Sequence, residues 1–244
     1  MVKIAGGAGH YLDTPGKRCS KSLDKNETRE WFLNDRIVTK IEKMLKDYEG
    51  VEFLRLDDPT GKKDIGLRER TDKANAWGAD ILISNHHNAG INGGSGGGVS
   101  VYRHPVTPQK TKDYQKGIYD KIIKYTGLKG NRSNPLATSN LFMLRESNMS
   151  AVLVENGFMD SKKDVPIILT AEFALSSAKA QVEFLVETFD LKKKPKPKPK
   201  PKSTDPDVFY RVVTGSFGDR QNALGRVEKL EKAGFDSFIT VYKK

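Results

Sequence analysis

Residues 81–90 read ILISNHHNAG, an apolar run that passes without a break into two adjacent histidines. A short continuous apolar stretch bounded by polar residues predicts a strand buried on both faces. Segments on either side repeat the theme. MVKIAGG at the start and VEFLRL at 51–56 read as strands, and so do 99–103 and SAVLVENGF at 150–158. Between them, 31–48 space Leu33, Ile37, Ile41, Met44, Leu45 and Tyr48 three or four apart, the period of an amphipathic helix. LRERTDKANAWG predicts a helix closed by Gly78; 108–125 and 170–189 predict two more. Strand-helix alternation predicts an α/β fold: a twisted, mostly parallel sheet with helices on both faces. In such sheets functional groups gather beyond the carboxyl ends of the strands.

The 244 residues suffice for one sizeable core plus a small appendage, and the apolar fraction of 36% fits a globular protein. No apolar run reaches the roughly 20 residues of a membrane span. The opening decapeptide has neither a long apolar segment nor a small-residue cleavage site, so synthesis in the cytoplasm without a signal peptide is expected. A single cysteine, Cys19, excludes an internal disulfide and a cysteine-rich zinc cluster, which leaves histidines and carboxylates for any metal site.

The net charge of +11 is unevenly spread. Residues 192–202, KKKPKPKPKPK, hold seven lysines and no acid, so the remainder carries only +4 and gives no reason to expect nucleic acid. Alternate prolines forbid helix and remove ladder donors, which predicts an extended tether within 191–206, whose eleven Lys-Pro residues, 192–202, reach about 34 Å at about 3.1 Å per residue. It separates residues 1–190 from a tail, 207–244, whose sequence reads strand, helix, strand. With fewer than 40 residues that tail is below the size that folds unaided and requires a partner surface, such as a second copy of itself.

The four histidines lie close to strand ends, at three places: His10, the pair His86 and His87, and His104. A parallel sheet brings His10 and His86 to one edge, where hydrolytic zinc needs a third protein ligand and an open position for water. For any single histidine, a hydrogen-bonded structural role is the plainer reading. The candidate carboxylates are Glu27, Glu30 and Glu155. Glu30 opens the first long helix, a place the helix dipole favours in any case. Glu155 ends the run AVLVE, and a carboxylate pushed off a buried strand is costly unless something meets it.

GAGH at 7–10, REWFLN at 29–34, SNHHNA at 84–89 and LRESNMSAVLVENGFMD at 144–160 resemble, in order and spacing, the zinc-dependent N-acetylmuramoyl-L-alanine amidases of the type 3 family. The resemblance covers roughly 1–190. It implies that His10, Glu30 and His86 bind Zn2+ and that Glu155 is catalytic. It also implies that the substrate is bacterial peptidoglycan, cut between N-acetylmuramic acid and the L-alanine of the stem peptide. A non-catalytic wall-binding protein and a zinc peptidase cutting within the stem remain alternatives. Where the family has Asp-Pro-Gly-His-Gly, this chain has Gly7, Ala8, Gly9, His10 and Tyr11. Glu27 is the fallback ligand.

His87 occupies the variable position after the ligand and is expected to face solvent or line the substrate groove, since neighbours in an extended chain point to opposite sides. Asn88 is expected to support His86, and Arg145 to meet stem-peptide carboxylates or to form a surface ion pair. AGINGGSGGG lacks the lysine of a phosphate loop and precedes a strand, so a mobile loop flanking the groove is expected. The tail resembles one half of a SPOR domain, which implies a small βαβ module that binds the wall, with homodimerisation supplying the missing half. The lysine tether is expected either to attract anionic wall polymers or to act as a plain spacer. Absence of an export signal fits an enzyme released at lysis, whether phage endolysin or mother-cell autolysin.

Overall fold

The computed structural model describes residues 1–195 and 213–241, which form two units, Met1–Pro195 and the portion of Lys196–Lys244 that is described. The first unit is built on six strands: β1 (Val2–Ala8), β2 (Val51–Arg55), β3 (Ile81–Asn88), β4 (Ser100–Arg103), β5 (Leu136–Thr138) and β6 (Ser150–Phe158). Their order across the sheet is β2-β1-β3-β6-β4-β5. The β2-β1-β3-β6 run is parallel throughout, whereas β4 lies antiparallel to β6. That single reversal is what makes the sheet mixed.

Alternation along each central strand sends consecutive side chains to two separate cores. Ile4, Ile81, Ile83, Val152 and Val154 join the larger one, under helices α1 (Glu30–Leu45), α3 (Gln109–Thr126) and α6 (Ala171–Phe189). Ala5, Leu82, Ala151 and Leu153 join the smaller one, under α2 (Leu67–Trp77) and the short α4 (Phe142–Arg145). Both faces are therefore covered, and each strand reads as an unbroken apolar run. In α1 the anticipated stripe is present, with Leu33, Ile37, Ile41 and Leu45 buried. Gly78 takes the left-handed conformation, φ 70°, that ends α2.

Three elements had no signal in the sequence: β5, α4 and α5 (Val165–Ile168) are three or four residues long, too short to express a period. The first unit also runs past α6. Leu191 is buried in the larger core, Glu49 N donates to Lys192 O and Lys194 N donates to Asp47 O, each at 2.8 Å. The first lysines of the tether thus pair with the segment just after α1, although residues 196–202 and the rest of the expected tether lie outside the described residues.

In the tail unit only the helix of the expected strand-helix-strand is present among the described residues, as α7 (Arg220–Lys232), capped by Asp219. Val213–Phe217 and Asp236–Val241 are irregular, and residues 208–212 and 242–244 of the expected strands lie outside the described set. Val213, Phe235, Phe238 and Val241 are all more than half exposed. A strand needs a neighbour to satisfy its backbone and cover its apolar face, and so short a segment supplies neither.

Candidate metal centre and hydrolytic site

Strands β1, β3 and β6 are consecutive neighbours with matched ends, Ala8 opposite Asn85 and His86 opposite Glu155. Their carboxyl ends therefore deliver the chemistry-bearing residues to one edge. His10 lies two residues beyond β1 in the left-handed region, φ 66°, uncommon for a residue other than glycine. The buried Arg70 holds that turn, donating to Ala8 O at 2.7 Å, His10 O at 3.2 Å and Ile65 O at 2.8 Å. Asp57 anchors the strand end below it by accepting from Ala8 N, 2.9 Å, and Trp31 Nε1, 3.2 Å.

Glu30 is the first residue of α1, but its carboxylate turns inward rather than capping the helix and is only 1% exposed. It meets His10 Nε2 at 3.4 Å, His86 Nδ1 at 3.2 Å and Lys17 Nζ at 3.8 Å. The rings of His10 and His86 stand edge to face, 5.0 Å between centroids. Ligand atoms of His10, Glu30 and His86 all lie within 4.8 Å of one another, a group able to hold a metal ion. Glu30 Oε2 is buried and accepts no hydrogen bond, and a cation would satisfy it. The donor set, two imidazoles and a carboxylate, is one that zinc accepts in hydrolases. Burial raises the Glu30 carboxyl, but the His86 hydrogen bond and the neighbouring charges of His86, His10 and Lys17 outweigh it and bring it to about 2. Burial lowers His10 to about 4, so near neutrality its ring nitrogen carries a free lone pair.

Glu30, His86 and Glu155 border a cavity of about 230 Å³ together with Pro15, Gly16, Lys17, His87, Asn88, Ala89 and Met159, and His10 is not among its lining residues. Glu155 Oε2 is buried without a hydrogen-bond partner. Desolvation raises its carboxyl to about 7, against the opposing effect of His86. A carboxyl poised there can accept a proton and return it near neutral pH.

Behind the edge a buried amide network fixes the strands that carry these groups. Asn156 donates to His86 O, 3.2 Å, and to Asn85 Oδ1, 3.1 Å, while Gln181 Nε2 donates to Asn85 Oδ1 at 2.8 Å and Ser177 donates to Asn156 Oδ1 at 2.7 Å. Asn85 and Asn156 each adjoin a functional residue and project into the polar layer under α6. Nothing in spacing alone distinguishes such asparagines from solvent-facing ones, and neither they nor Lys17, Arg70 and Met159 were anticipated.

Several expectations are corrected. Glu27 pairs with Arg18 Nε at 3.1 Å and stays out of the cluster. Of the two readings for His87, solvent is excluded and the cavity edge stands: it is 3% exposed and borders the cavity, while its Nδ1 lies 2.7 Å from Asn34 Oδ1 and its ring 6.5 Å from that of Phe173 between centroids. Asn88 borders the cavity, but its Oδ1 accepts from Ala89 N at 2.8 Å instead of holding His86. Arg145 is not brought to the cavity; it pairs with Glu146 at 2.7 Å and donates to Asn140, the surface ion pair of the two readings.

The glycine-dense loop flanks the cavity through Ala89 but is stapled rather than loose. Asp160 Oδ2 accepts from Gly90, Ile91 and Asn92 N–H, each at 2.8 Å, and Asp164 Oδ2 accepts from Gly98 N at 2.7 Å. Asp160→Ala should therefore lower stability by about 2 kcal/mol, the scale of lost charge-assisted hydrogen bonds. Urea unfolding checks this through a lower midpoint at unchanged slope.

Gly9 has a steric reason to be glycine. A Cβ there would lie 2.1 Å from His86 Cε1. Gly9→Ala must push the His86 ring aside and is expected to weaken metal binding by about 10–100-fold, the range seen when a ligand loses its support. Competition with a chromophoric chelator measures it, and unchanged affinity would show that the ring relaxes without consequence.

Comparison with known proteins agrees with this geometry. The N-acetylmuramoyl-L-alanine amidase family profile matches residues 7–187, and a SPOR domain profile matches residues 175–240. The chain belongs to the N-acetylmuramoyl-L-alanine amidase family. It is 32% identical over 239 residues to a sporulation-specific N-acetylmuramoyl-L-alanine amidase of Bacillus subtilis (strain 168), covering 98% of this chain and 84% of that protein. It is 32% identical over 172 residues to the endolysin of Bacillus phage SPP1, covering 69% of this chain and 61% of the endolysin. In fold it is similar to the N-acetylmuramoyl-L-alanine amidase of Clostridium difficile 630, TM-score 0.69 at 23% identity over 78% of this chain and 97% of that one.

Proposed function

We propose that the protein hydrolyses the amide between N-acetylmuramic acid and the L-alanine of the peptidoglycan stem, as a zinc-dependent enzyme. The observation that carries the reading is the convergence of His10, Glu30 and His86 on one edge, beside Glu155, whose Oε2 is buried without a hydrogen-bond partner. His10, Glu30 and His86 would hold zinc, whose chemistry there is Lewis-acid polarisation of water and of the scissile carbonyl. Glu155 takes the proton of the attacking water as the new C–O bond forms. The same carboxyl then returns the proton to the departing nitrogen as the C–N bond breaks, leaving a lactyl carboxylate and a free L-alanyl amine. A dead scaffold would have no reason to keep an unpartnered carboxylate facing three potential ligands.

Digestion of purified peptidoglycan followed by mass spectrometry tests this. New L-alanyl amino termini, abolished by a chelator and restored by zinc, are expected. Termini inside the stem would favour a peptidase instead, and no chelator-sensitive release would favour a binding protein.

The match to the SPOR profile supports a wall-binding role for 207–244 beyond a tether at 191–206, with 1–190 as the catalytic part. A tail of one helix with exposed apolar flanks gains a core by pairing with a second copy. A strict monomer in sedimentation that retains full wall affinity would remove the dimer. Attraction of the lysines to anionic wall polymers would weaken with added salt. Likeness to an endolysin supports action on the wall after release at lysis.

A further inference from the structure

We propose that His87, the histidine beside the ligand, is a positioning residue that works through Asn34 to decide which oxygen of Glu30 is left for the metal. The proposal rests on the zinc reading above and concerns only how the chain prepares its own carboxylate.

Asn34 follows Glu30 by one turn of α1, and both side chains are buried, at 0% and 1% exposure. The amide of Asn34 sits between three groups. Its Nδ2 donates to Gly9 O at 3.2 Å and to Glu30 Oε1 at 3.4 Å, and its Oδ1 lies 2.7 Å from His87 Nδ1. Two acceptor oxygens on one side oblige the NH2 to face them, so the carbonyl oxygen must face His87. An oxygen cannot donate, and His87 Nδ1 must therefore carry the proton. The Nδ1–H of the buried His87 ring thus closes the amide's remaining side and holds it in the orientation that Gly9 and Glu30 require.

The consequence falls on Glu30. Oε1 receives Asn34 Nδ2 and the backbone N–H of His87, 3.2 Å, and lies 3.2 Å from His86 Nδ1. Oε2 receives no hydrogen bond, although it is buried and faces His10 Nε2 at 3.4 Å. The two oxygens of one carboxylate are in this way given different tasks. One is saturated by fixed donors, the other stays available to a cation. If the Asn34 amide were released, it could rotate, and the carboxylate would lose the contact that distinguishes its oxygens.

Zinc affinity of the full chain, measured by competition with a chromophoric chelator, tests the proposal. His87→Phe keeps a ring near Phe173 but removes Nδ1–H, and should weaken zinc binding by about 10–100-fold. His87→Asn places an amide N–H near the Nδ1 position and should stay within about threefold of wild type. His87→Gln moves that N–H to the Nε2 position and should behave like the phenylalanine variant. Asn34→Ala should lose affinity to a similar extent, and the double variant His87→Phe, Asn34→Ala should be no weaker than Asn34→Ala alone, because both changes cut one path. Unchanged affinity in His87→Phe, equal affinities for the Asn and Gln variants, or losses that multiply in the double variant would each overturn the proposal. A purely structural role would instead follow the thermal midpoints of the metal-free variants. The Asn and Gln pair decides the matter even if the apolar variant does not fold. Failure of the wild-type chain itself to bind zinc would overturn the metal reading, and this proposal with it.

Discussion

Glu155→Gln is expected to bind zinc as wild type does and to lose about 10²–10⁴-fold in wall hydrolysis, the range that proton transfer by a placed side chain contributes. The substitution keeps size and leaves His10, Glu30 and His86 untouched, so the metal group survives. What disappears is the proton acceptor. The stability of the variant separates loss of chemistry from loss of fold. Burial raises Glu155 from its ordinary value of 4.5 to about 7 in the folded metal-free chain. The folded state therefore holds this proton more tightly than the unfolded state does, and stability falls as pH rises from 4.5 to 7. Above that window the charged carboxylate still burdens the fold, and a neutral amide does not. With chelator present at pH 8, the variant should thus unfold at a temperature no lower than wild type. A Glu155→Gln protein that cleared walls at the normal rate would remove Glu155 from the reaction.

His86→Ala should lose zinc and activity together, with metal affinity down by more than the roughly 100-fold that accompanies loss of a mere supporting residue. The ring would contribute a ligand nitrogen, and it stands against His10 and packs over Gly9, so its loss leaves a gap in the group of His10, Glu30 and His86. Adjacent His87 cannot substitute, because its Nδ1 is committed to Asn34 and its ring is turned away. At 17% side-chain exposure His86 is not a core residue, and the fold should persist. Elemental analysis of the purified variant checks the claim. Stoichiometric zinc in His86→Ala would break the proposed ligand set.

Much of this architecture was legible in the sequence because buried parallel strands leave a strong trace. SAVLVENGF has the same limits as β6, and ILIS marks β3 without ambiguity. The parallel arrangement also explains why His10 and His86 could be foreseen at one edge although 76 positions separate them. Orientation of the neighbouring polar residues was not legible. Alternation predicts that His86 and His87 diverge, which they do, but it does not say whether the far side holds solvent or a helix. Here the far side holds Asn34 of α1 and Phe173 of α6. Likewise glycine density reads as slackness, whereas the 89–98 loop is fixed by carboxylates 66 and 70 positions away from its glycines. Pairings of that range have no local signature. In the tail the strand pattern is clear, yet among the described residues only the helix forms, because a pattern becomes a strand only where a second edge is offered.

Leu191 and the pairing of Lys192–Lys194 with the segment after α1 fix where this enzyme can be cut. A protease attacking lysines beyond Pro195 would shed the tail and leave the hydrolytic unit with its seam closed. Trimming back to Phe189 would instead strip an apolar plug and two backbone hydrogen bonds from that seam. A recombinant amidase fragment intended for crystallisation should accordingly keep the first lysines, however dispensable their composition makes them look.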